Sequence, residues 1–417
     1  MRFFSLTLGI FLLSLSQTSS AKADLTVKPD ELKNCSIKNY VDLVKCAQGQ
    51  SADIRMTYQK EKIAGHLEDV AKQWVNPELN LESVSKNSDT IEQSATLYFN
   101  VSLGGKRSAK ISEARAEYEK SVATGQFDIQ NFRLSLMLAL HKINHLQTEI
   151  KIEEESVATF SKIIKQYQGR AALSPEQDVS LSVFKMALAD HQLSLVQLKA
   201  EFEKLSEEIT VTTGLPKNIV LKNLPKLNNE WPEIESAEEA TDSPQLRIAQ
   251  SELNISKSLK SQAEAESWPD LKIGPKIQVN KAAGESETLT GVSLSMPLPV
   301  FSVNGGGREY SKQRLVEAQM SYDLIKSKTV SFRKQLVNKY TNLTTTLNST
   351  LNSKSISEKH EKIEQQFFKG IVPSSLIIEA HRQLFDLESK RNESELQALD
   401  SLGQILILDN KFSEVIL

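Results

Sequence analysis

The strongest constraint on this 417-residue chain is an internal repeat at an offset of 201 residues. The run Gly104–Arg107 aligns with Gly305–Arg308, and Tyr167–Gly169 aligns with Phe368–Gly370. In both copies 62 residues separate the arginine of the first landmark from the glycine of the second. Because a long-period repeat fixes the architecture, we expect one structural unit built twice rather than several unrelated domains.

A third landmark lies upstream of each glycine run. Trp74–Leu79 corresponds to Trp268–Leu271, with a proline-to-proline offset of 192 residues. Nine extra residues therefore lie between Pro269 and Arg308 in the second copy. Three matches in the same order make a chance pairing a poor explanation.

Long helices are predicted between the landmarks. The stretch Ile111–Glu155 has no proline and a single glycine, while Asp178–Val211, Arg308–Phe368 and Leu376–Leu402 have neither. An uninterrupted helix of that length would extend for about 90 Å, far beyond an ordinary globular helix.

Each copy is thus predicted to form one long helix, a tight turn at Gly169 or Gly370, and a return helix. Ser174–Gln177 has the pattern of a helix N-cap with proline in the first turn. The equal spacing predicts hairpins of matched length lying side by side. An elongated periplasmic coiled coil without a channel is the alternative.

Ahead of each glycine run the apolar period changes from helical to two, which is typical of strands. The alternating apolar residues are Leu79, Leu81, Val84, Leu97, Phe99, Val101 and Leu103 in the first copy, and Leu271, Ile273, Ile277, Val279, Val292, Leu294, Met296 and Leu298 in the second. We predict two β-hairpins with strands of about ten residues, the length of a tilted strand in a membrane barrel. A soluble sheet packed on helices is the alternative. Four strands cannot close a barrel, and a lipid-exposed edge is not tolerated, so the pattern favours oligomers.

The N-terminus has the pattern of an export signal. A basic start is followed by the apolar stretch Phe3–Leu15, and Ala21–Ala23 offers small residues for cleavage after Ala23. An uncleaved anchor is the less favoured alternative, because the apolar stretch is short for a membrane span. The net charge of −3 provides no basic field for nucleic acid.

Two cysteines would meet an oxidising compartment after export. Cys35 and Cys46 are eleven residues apart, which is too far for a disulfide within one continuous helix. If Ser36 caps a helix, Cys35 lies outside it and a disulfide becomes feasible. Two small buried residues are the preferred interpretation.

No catalytic or cofactor site is predicted. The six histidines are scattered along the helices, and only His141 and His145 share a helical face at a spacing suited to a metal. Without further ligands, solvated or tunnel-lining histidines are the better interpretation. The glycine run at Gly305 lacks the lysine and Ser/Thr ending of a phosphate loop, so a hinge is preferred.

These motifs together resemble the TolC-type outer membrane efflux proteins over nearly the whole mature chain. The resemblance is carried by Asn76–Leu79, Leu103–Arg107, Ser243–Leu246, Trp268–Leu271, Pro297–Phe301, Gly305–Arg308, Ser174 with Asp178, and Ser374 with Glu379 and Ala380. The Leu103–Arg107 form is most similar to the branch that serves heavy-metal resistance pumps. It implies a mainly α chain with a small β part, in which long antiparallel helical hairpins form an α-barrel.

The resemblance also implies an assembly and a location. Four strands per chain would contribute to a 12-stranded transmembrane β-barrel in a homotrimer in the outer membrane of a Gram-negative bacterium, with most of the chain in the periplasm. The duct would be passive, contacting outer membrane lipid, a periplasmic adaptor and an inner-membrane pump of the resistance-nodulation-division or ABC type. No cofactor and no nucleic acid are expected. A type I protein-secretion duct is the rival within the same fold.

On this resemblance the chain divides into a signal peptide (1–23), a first repeat (24–213), an equatorial linker (214–243) and a second repeat (244–417). The β-hairpins are expected at about 77–103 and 269–300, and the helical hairpins at about 104–212 and 305–408. The junctions between barrel and helices are assigned to Gly104, Gly105, Arg107, Gly305, Gly306 and Arg308. Trp74 and Trp268 are expected at the membrane interface.

The helical turns would form the periplasmic tip and contact the adaptor through Gly169, Ala171, Ser174, Gly370, Ser374 and Ser375. Family members carry an acidic pair that narrows the entrance. Glu379 matches one of the two positions, whereas Leu376 occupies the other and Val372 replaces an expected basic partner. A ring of three Glu379 side chains would raise the pKa of these carboxyl groups through like-charge repulsion.

Overall fold

The computed structural model describes residues 35–87, 90–226, 231–234, 242–282 and 284–412. The predicted signal peptide lies outside these residues. Over the described chain, no helix combines the length and apolar character needed to cross a membrane.

The first copy contains three short helices, a hairpin of very long helices and a short helix after it. These are α1 (Tyr40–Gln50), α2 (Ala52–Gly65), α3 (Leu67–Lys72), α4 (Lys106–Gln168), α5 (Pro175–Thr213) and α6 (Lys217–Lys222). At 1.5 Å per residue, the 63 residues of α4 extend for about 95 Å. The prediction of an uninterrupted long helix is confirmed here.

The second copy repeats the order of helix, two strands and long helical hairpin, but among the described residues one helix rather than three precedes its strands, and its first long helix is broken. Its helices are α7 (Pro244–Ala265), α8 (Gly305–Ser349), α9 (Ser353–Phe368) and α10 (Ser374–Leu408). The predicted continuous helix over 308–368 is wrong, because the chain leaves the helix at Thr350 and begins α9 after Asn352.

The break between α8 and α9 has a local cause. Ten residues up to Thr350 are mostly threonine, asparagine and serine, whose side chains compete with helical hydrogen bonds. Asn352 then restarts the helix as an N-cap, since its Oδ1 accepts from the backbone N–H of Ser355 at 2.8 Å. Arg391 of α10 donates to the Leu347 carbonyl at 3.2 Å and the Leu351 carbonyl at 3.3 Å, so the freed carbonyls have a partner.

The predicted β-hairpins form one four-stranded antiparallel sheet. Its strands are β1 (Glu78–Asn87), β2 (Thr90–Ser102), β3 (Asp270–Ala282) and β4 (Glu285–Ser295), in the order β1-β2-β3-β4. Pairing of β2 with β3 joins the two copies. The repeats therefore lie side by side in the sheet.

Register gives the sheet one apolar and one polar face. Phe99 pairs with Ile273, which in turn pairs with Leu294, so all three lie on one face. On the opposite face Lys272 forms an ion pair with Glu78 at 2.6 Å. Successive side chains point to opposite faces of a strand, and the predicted alternation is confirmed for these strands.

Two details of the strand prediction are wrong. Val84 pairs with Glu92 and belongs to the polar face rather than the apolar one, because it is an odd number of residues from Leu81. The last strand ends at Ser295, so Met296 and Leu298 lie in the following loop. Two prolines, Pro297 and Pro299, cannot donate ladder hydrogen bonds and account for that early end.

The main apolar core lies midway along the helical part, where α4, α8 and α10 pack together. Leu140, Ile143 and Ile405 are fully buried there. The link between the copies contributes to this region, since Tyr340 donates its hydroxyl to the Pro232 carbonyl at 2.7 Å. Burial raises the pKa of Tyr340 to about 12.

Cys35 and Cys46 form a disulfide with a Cα–Cα distance of 5.7 Å. The preferred interpretation of two unlinked buried cysteines is wrong. The cap of α1 is Asn39, whose Oδ1 accepts from the N–H of Asp42 at 2.9 Å. Cys35 therefore precedes the helix and folds back onto it, a geometry that the eleven-residue spacing leaves open.

A second apolar cluster lies near the turns of the helical hairpins. Phe160, Phe184 and Ile377 are fully buried in it. They come from α4, α5 and α10, so this cluster packs the first hairpin against the second.

Candidate functional site: sheet junction, helical tip and buried polar contacts

The junction of sheet and helix in the first copy requires glycine. Gly104 and Gly105 have φ of 72° and 81°, a region that residues with a Cβ rarely adopt. The ring of Trp268 also lies against Gly104, because an added Cβ would be 2.5 Å from Trp268 Cδ1. Lys106 follows at once and forms an ion pair with Asp270 at 2.8 Å.

Arg107 and Trp74 contact one another at the same junction. The Arg107 guanidinium lies 4.7 Å from the centre of the Trp74 ring, a cation–π geometry. It also donates to the Lys72 carbonyl at 2.6 Å. Both tryptophans are thus gathered at one junction, and both are more than half exposed.

The second junction is built differently. Gly305 and Gly306 are the first residues of α8, and an added Cβ would meet nothing within 4 Å at either position. The left-handed residue is Asn304, with φ of 51°, and its Nδ2 donates to the Ala263 carbonyl at 3.0 Å. The predicted hinge role therefore falls on Asn304 here, while Arg308 lies exposed in the first turn of α8.

The turn of the first hairpin also differs from the expectation. Gly169 has φ of −78°, which any residue adopts, whereas Gly370 has φ of 73° and needs glycine. Ser174 is the N-cap of α5 in a capping box, in which its hydroxyl accepts from the N–H of Gln177 at 3.3 Å. That predicted cap is confirmed.

The predicted tip residues lie on two neighbouring turns. Gly169, Ala171 and Ser174 belong to the turn between α4 and α5 and are exposed. Gly370 precedes α10, and Ser374 and Ser375 are its first two residues.

Glu379 forms a local ion pair with its own helix. Its carboxylate accepts from Arg382 at 2.6 and 3.0 Å and from Gln383 at 2.6 Å. Arg382 also donates to Asp386 at 2.9 Å. The hydrogen bonds from Arg382 hold the pKa of Glu379 below its usual value. The expected rise belongs to a ring of three Glu379 side chains and stays a prediction; within one chain, a basic residue three positions on neutralises the carboxylate.

The histidines of the long helices are buried, so the prediction of solvated or tunnel-lining side chains is wrong for them. His141, His145, His191 and His381 are at most 7% exposed. His66 remains exposed and pairs with Asp69 at 3.5 Å. Burial follows from how α4, α5 and α10 pack, which a helical pattern alone does not determine.

One set of buried polar contacts joins α4 and α10 near mid-length. His145 Nε2 lies 3.1 Å from Glu395 Oε2, and Asn392 donates to Glu149 at 2.8 Å. Burial raises the pKa of Glu149. Burial, with His145 as a lesser cause, lowers the pKa of His141 to about 4.

A second set lies closer to the tip and involves three histidines. We call His191, His360 and His381 the histidine cluster. The ring centres of His360 and His381 are 4.3 Å apart, and those of His191 and His381 are 6.3 Å apart. His381 Nδ1 lies 2.9 Å from Ser156 Oγ, and His191 Nδ1 lies 2.6 Å from Glu153 Oε2. The cluster and its two partners on α4 thus join α4, α5, α9 and α10.

Over the described part of the chain, no three His, Cys, Asp or Glu side chains come together in a way that could hold a metal ion. The site residues missed by sequence reasoning are Asn304, Ser156, Glu153 and Arg391. Asparagine before a glycine run was an available signal for Asn304, because asparagine tolerates the left-handed region. The other three act across helices and leave no local signal.

An open sheet with one apolar face, set on helical hairpins about 95 Å long, is the fold of the TolC-type outer-membrane channels. Solved structures with this fold include the outer-membrane channel OprN, at a TM-score of 0.71 and 15% identity, covering 89% of this chain and 90% of that chain. The outer membrane channel CmeC of Campylobacter jejuni has a TM-score of 0.70 and 12% identity, covering 95% and 91%. The resemblance drawn from the motifs is confirmed at the level of the fold.

A curated relative is the cobalt-zinc-cadmium resistance protein CzcC of Cupriavidus metallidurans. It is 23% identical over 251 residues. The match spans 59% of this chain and 59% of that protein. No protein-family model matches the chain.

Proposed function

We propose that this chain is the outer-membrane channel subunit of a tripartite export system. It would form a passive duct across the periplasm for substrates delivered by an inner-membrane pump and a periplasmic adaptor. The observation that supports this most is the pairing of an amphipathic four-stranded sheet with helical hairpins long enough to bridge a wide aqueous space.

The sheet supports a position in lipid. On its apolar face Leu79, Phe99, Val292 and Leu294 are each about half or more exposed in a single chain. Exposed apolar area of this extent marks a surface that contacts lipid or another protein. Trp74 and Trp268 lie where the sheet meets the helices, the level at which interfacial aromatic residues collect.

The sheet edges support an oligomer. Among the described strands, β1 and β4 each pair with one neighbour only. Open edges are not tolerated in lipid, so further copies would have to pair with them. Three copies would supply twelve strands, an even number in the known range for barrels. Exposed apolar residues on α5 and α8 would then pack between copies, among them Val179, Met186, Val196, Met320 and Leu324.

The tip supports an entrance that meets an adaptor. Gly169, Ala171, Ser174, Gly370, Ser374 and Ser375 are small and would let a helical partner approach the two turns closely. Glu379 would narrow the entrance together with its copies, and Arg382 would moderate the negative charge of that ring. We keep the division into two repeats, 24–213 and 244–417, joined by a linker, as part of this proposal.

We propose metal cations as the cargo class, on the strength of the named function of the relative that confers cobalt, zinc and cadmium resistance. Within the described residues no cluster suited to hold such an ion is present. A duct that passes cations without binding them tightly fits that finding.

The test is fractionation followed by conductance. The mature chain should partition with outer membranes, require detergent for extraction, and migrate as a trimer. In a planar bilayer the purified trimer should conduct ions once its tip is loosened. A chain extracted without detergent would overturn the proposal in favour of a periplasmic coiled-coil scaffold.

The transported cargo distinguishes the proposed metal-cation duct from the remaining alternative, a type I protein-secretion duct. Deleting the gene should lower resistance to divalent metals while leaving protein secretion intact. Loss of a secreted protein, with unchanged metal resistance, would favour a type I protein-secretion duct.

A further inference from the structure

The histidine cluster lies where the two helical hairpins of one chain meet. His381 of α10 contacts Ser156 of α4 at 2.9 Å, and its ring packs against Phe160 of α4 and His360 of α9 with centre distances of 4.9 and 4.3 Å. A second contact between the hairpins lies beside it, where Thr159 donates to Glu364 at 2.7 Å. These contacts hold α9 and the first turns of α10 against the first hairpin.

The hydrogen bonds determine which ring nitrogen of His381 carries no hydrogen. The Ser156 hydroxyl donates its single hydrogen to the Ile152 carbonyl at 3.0 Å, so it can only accept from His381. His381 Nδ1 therefore carries the hydrogen. Its Nε2 is a buried lone pair without a hydrogen-bond partner, and His360 Nε2 is also buried without a partner.

A second proton on His381 would sit on Nε2, where it has no acceptor in this arrangement. Burial, with the neighbouring His360 and His191 as lesser causes, lowers the pKa of His381 to about 3. Burial also lowers the pKa of His360, although Glu364 and Glu155 oppose that effect. The closed contact between the hairpins is thus stable with both rings neutral.

The titratable groups around His360 and His381 come from α4, α5 and α9. From α4 they are Glu153, hydrogen-bonded to His191, and Glu155. From α5 it is His191, and from α9 it is Glu364, hydrogen-bonded to Thr159. Glu155 and Glu364 favour protonation of His360, whereas a protonated His191 or His360 opposes that of His381.

Helix α9, which these contacts hold, is preceded by a non-helical joint. The chain is not helical at Thr350–Asn352, between α8 and α9, and no such break occurs in α4 of the first copy. Movement of α9 relative to α8 therefore needs no helix to unwind, and α10, which is continuous, would follow by bending.

We propose that His360 and His381 form a proton-operated latch, which holds the tip of the second hairpin against the first at neutral pH and releases it at acidic pH. In the separated state both rings meet water and bind protons with a pKa near 6.5. The closed state loses stability as pH falls below that value, because only the separated state takes up protons. The equilibrium should shift by up to about tenfold per pH unit for each histidine.

The proposed movement within one chain does not require the chain to be a duct. Only its role, the opening of an entrance, rests on the proposed function. The test uses the full chain with its disulfide intact and spin labels at Arg170→Cys and Ile371→Cys, one on each turn. Labelled chains diluted with unlabelled ones report distances within one copy. Long distances should gain population between pH 8 and pH 5, and the pH dependence should vanish in His360→Gln/His381→Gln.

Two further variants complete the test. His66→Gln removes an exposed histidine far from the cluster and should respond to pH as the original chain does. His381→Phe fills the same space without a nitrogen and should keep only the part of the pH response that His360 contributes. An original chain whose distances do not change down to pH 5, or a double glutamine variant that responds like it, would overturn the latch. The distance measurement does not use conductance. Failure of the latch and failure of the proposed channel function can therefore be told apart.

Discussion

Gly104 meets two requirements at once, a left-handed backbone and contact with the Trp268 ring. We expect Gly104→Ala to cost at least about 1–2 kcal/mol from the backbone alone, with more from the clash. Gly306→Ala is the matched control, since its Cβ would meet nothing within 4 Å, and it should be neutral or slightly stabilising. Thermal unfolding of the detergent-solubilised protein measures both, and equal losses would contradict the assignment.

Arg333 and Asp409 form a buried bidentate ion pair with distances of 2.7 and 2.9 Å. It joins α8 to the end of α10. Arg333→Met should lower stability by about 3–5 kcal/mol, because it leaves Asp409 buried without its charge partner.

The double variant Arg333→Met/Asp409→Leu tests the cause of that loss. It should recover most of the stability in the same unfolding measurement, since apolar replacement of both partners is often neutral. A double variant as unstable as the single one would show that packing by the arginine stem, rather than the unpaired charge, is responsible.

At single residues, sequence predicts what is decided locally. The cap at Ser174 and the glycines at Gly104 and Gly370 follow from short-range backbone rules. The burial of His381 does not, because it depends on which face of α10 meets α4. The disulfide is mispredicted for a different reason, because it depends on Cys35 lying ahead of the Asn39 cap and folding back onto α1.

Among the elements, Arg391 is expected to stabilise the joint between α8 and α9. It donates to Leu347, Thr350 and Leu351 at 3.2–3.3 Å. Arg391→Met should speed amide hydrogen exchange across α9 severalfold, because the freed carbonyls must find water. Exchange in the aligned part of α4 should not change.

Arg314→Met is the control for that experiment. Arg314 lies on α8 and, within the described part of the chain, forms a long ion contact with Glu317 at 3.9 Å, a kind of surface pair worth little. Faster exchange in α9 for this variant would mean that loss of any arginine, rather than the joint contact, loosens the helix.

The sequence predicts α4 because proline and glycine are nearly absent from it, and β2 because its apolar residues alternate. The break after Ser349 escaped prediction because no glycine or proline marks it. A run of individually weak helix formers ends a helix only when a tertiary partner, such as Arg391, donates hydrogen bonds to the carbonyls that leave the helix. The sequence pattern thus predicts that a helix or strand exists, while tertiary packing decides where it is interrupted.

For the whole molecule, the two faces of the sheet should respond oppositely to charge. Phe99→Lys puts a charge on the apolar face, where a lipid environment costs about 2–4 kcal/mol at the midplane. It should reduce the amount of trimer recovered from outer membranes. Ser94→Lys lies on the polar face opposite Glu82 and should be recovered normally. Equal recovery of both variants would argue against lipid contact.

The difference between the two copies also governs symmetry. The first hairpin contains the unbroken α4, and the second contains the joint at Thr350–Asn352. In any closed ring of such chains, stiff and jointed hairpins would alternate around the axis. At the sheet and at mid-length, the two copies within each chain would be nearly equivalent in the wall. At the end of the hairpins away from the sheet they would differ. Bending there would involve every second hairpin, leaving the others as a fixed frame.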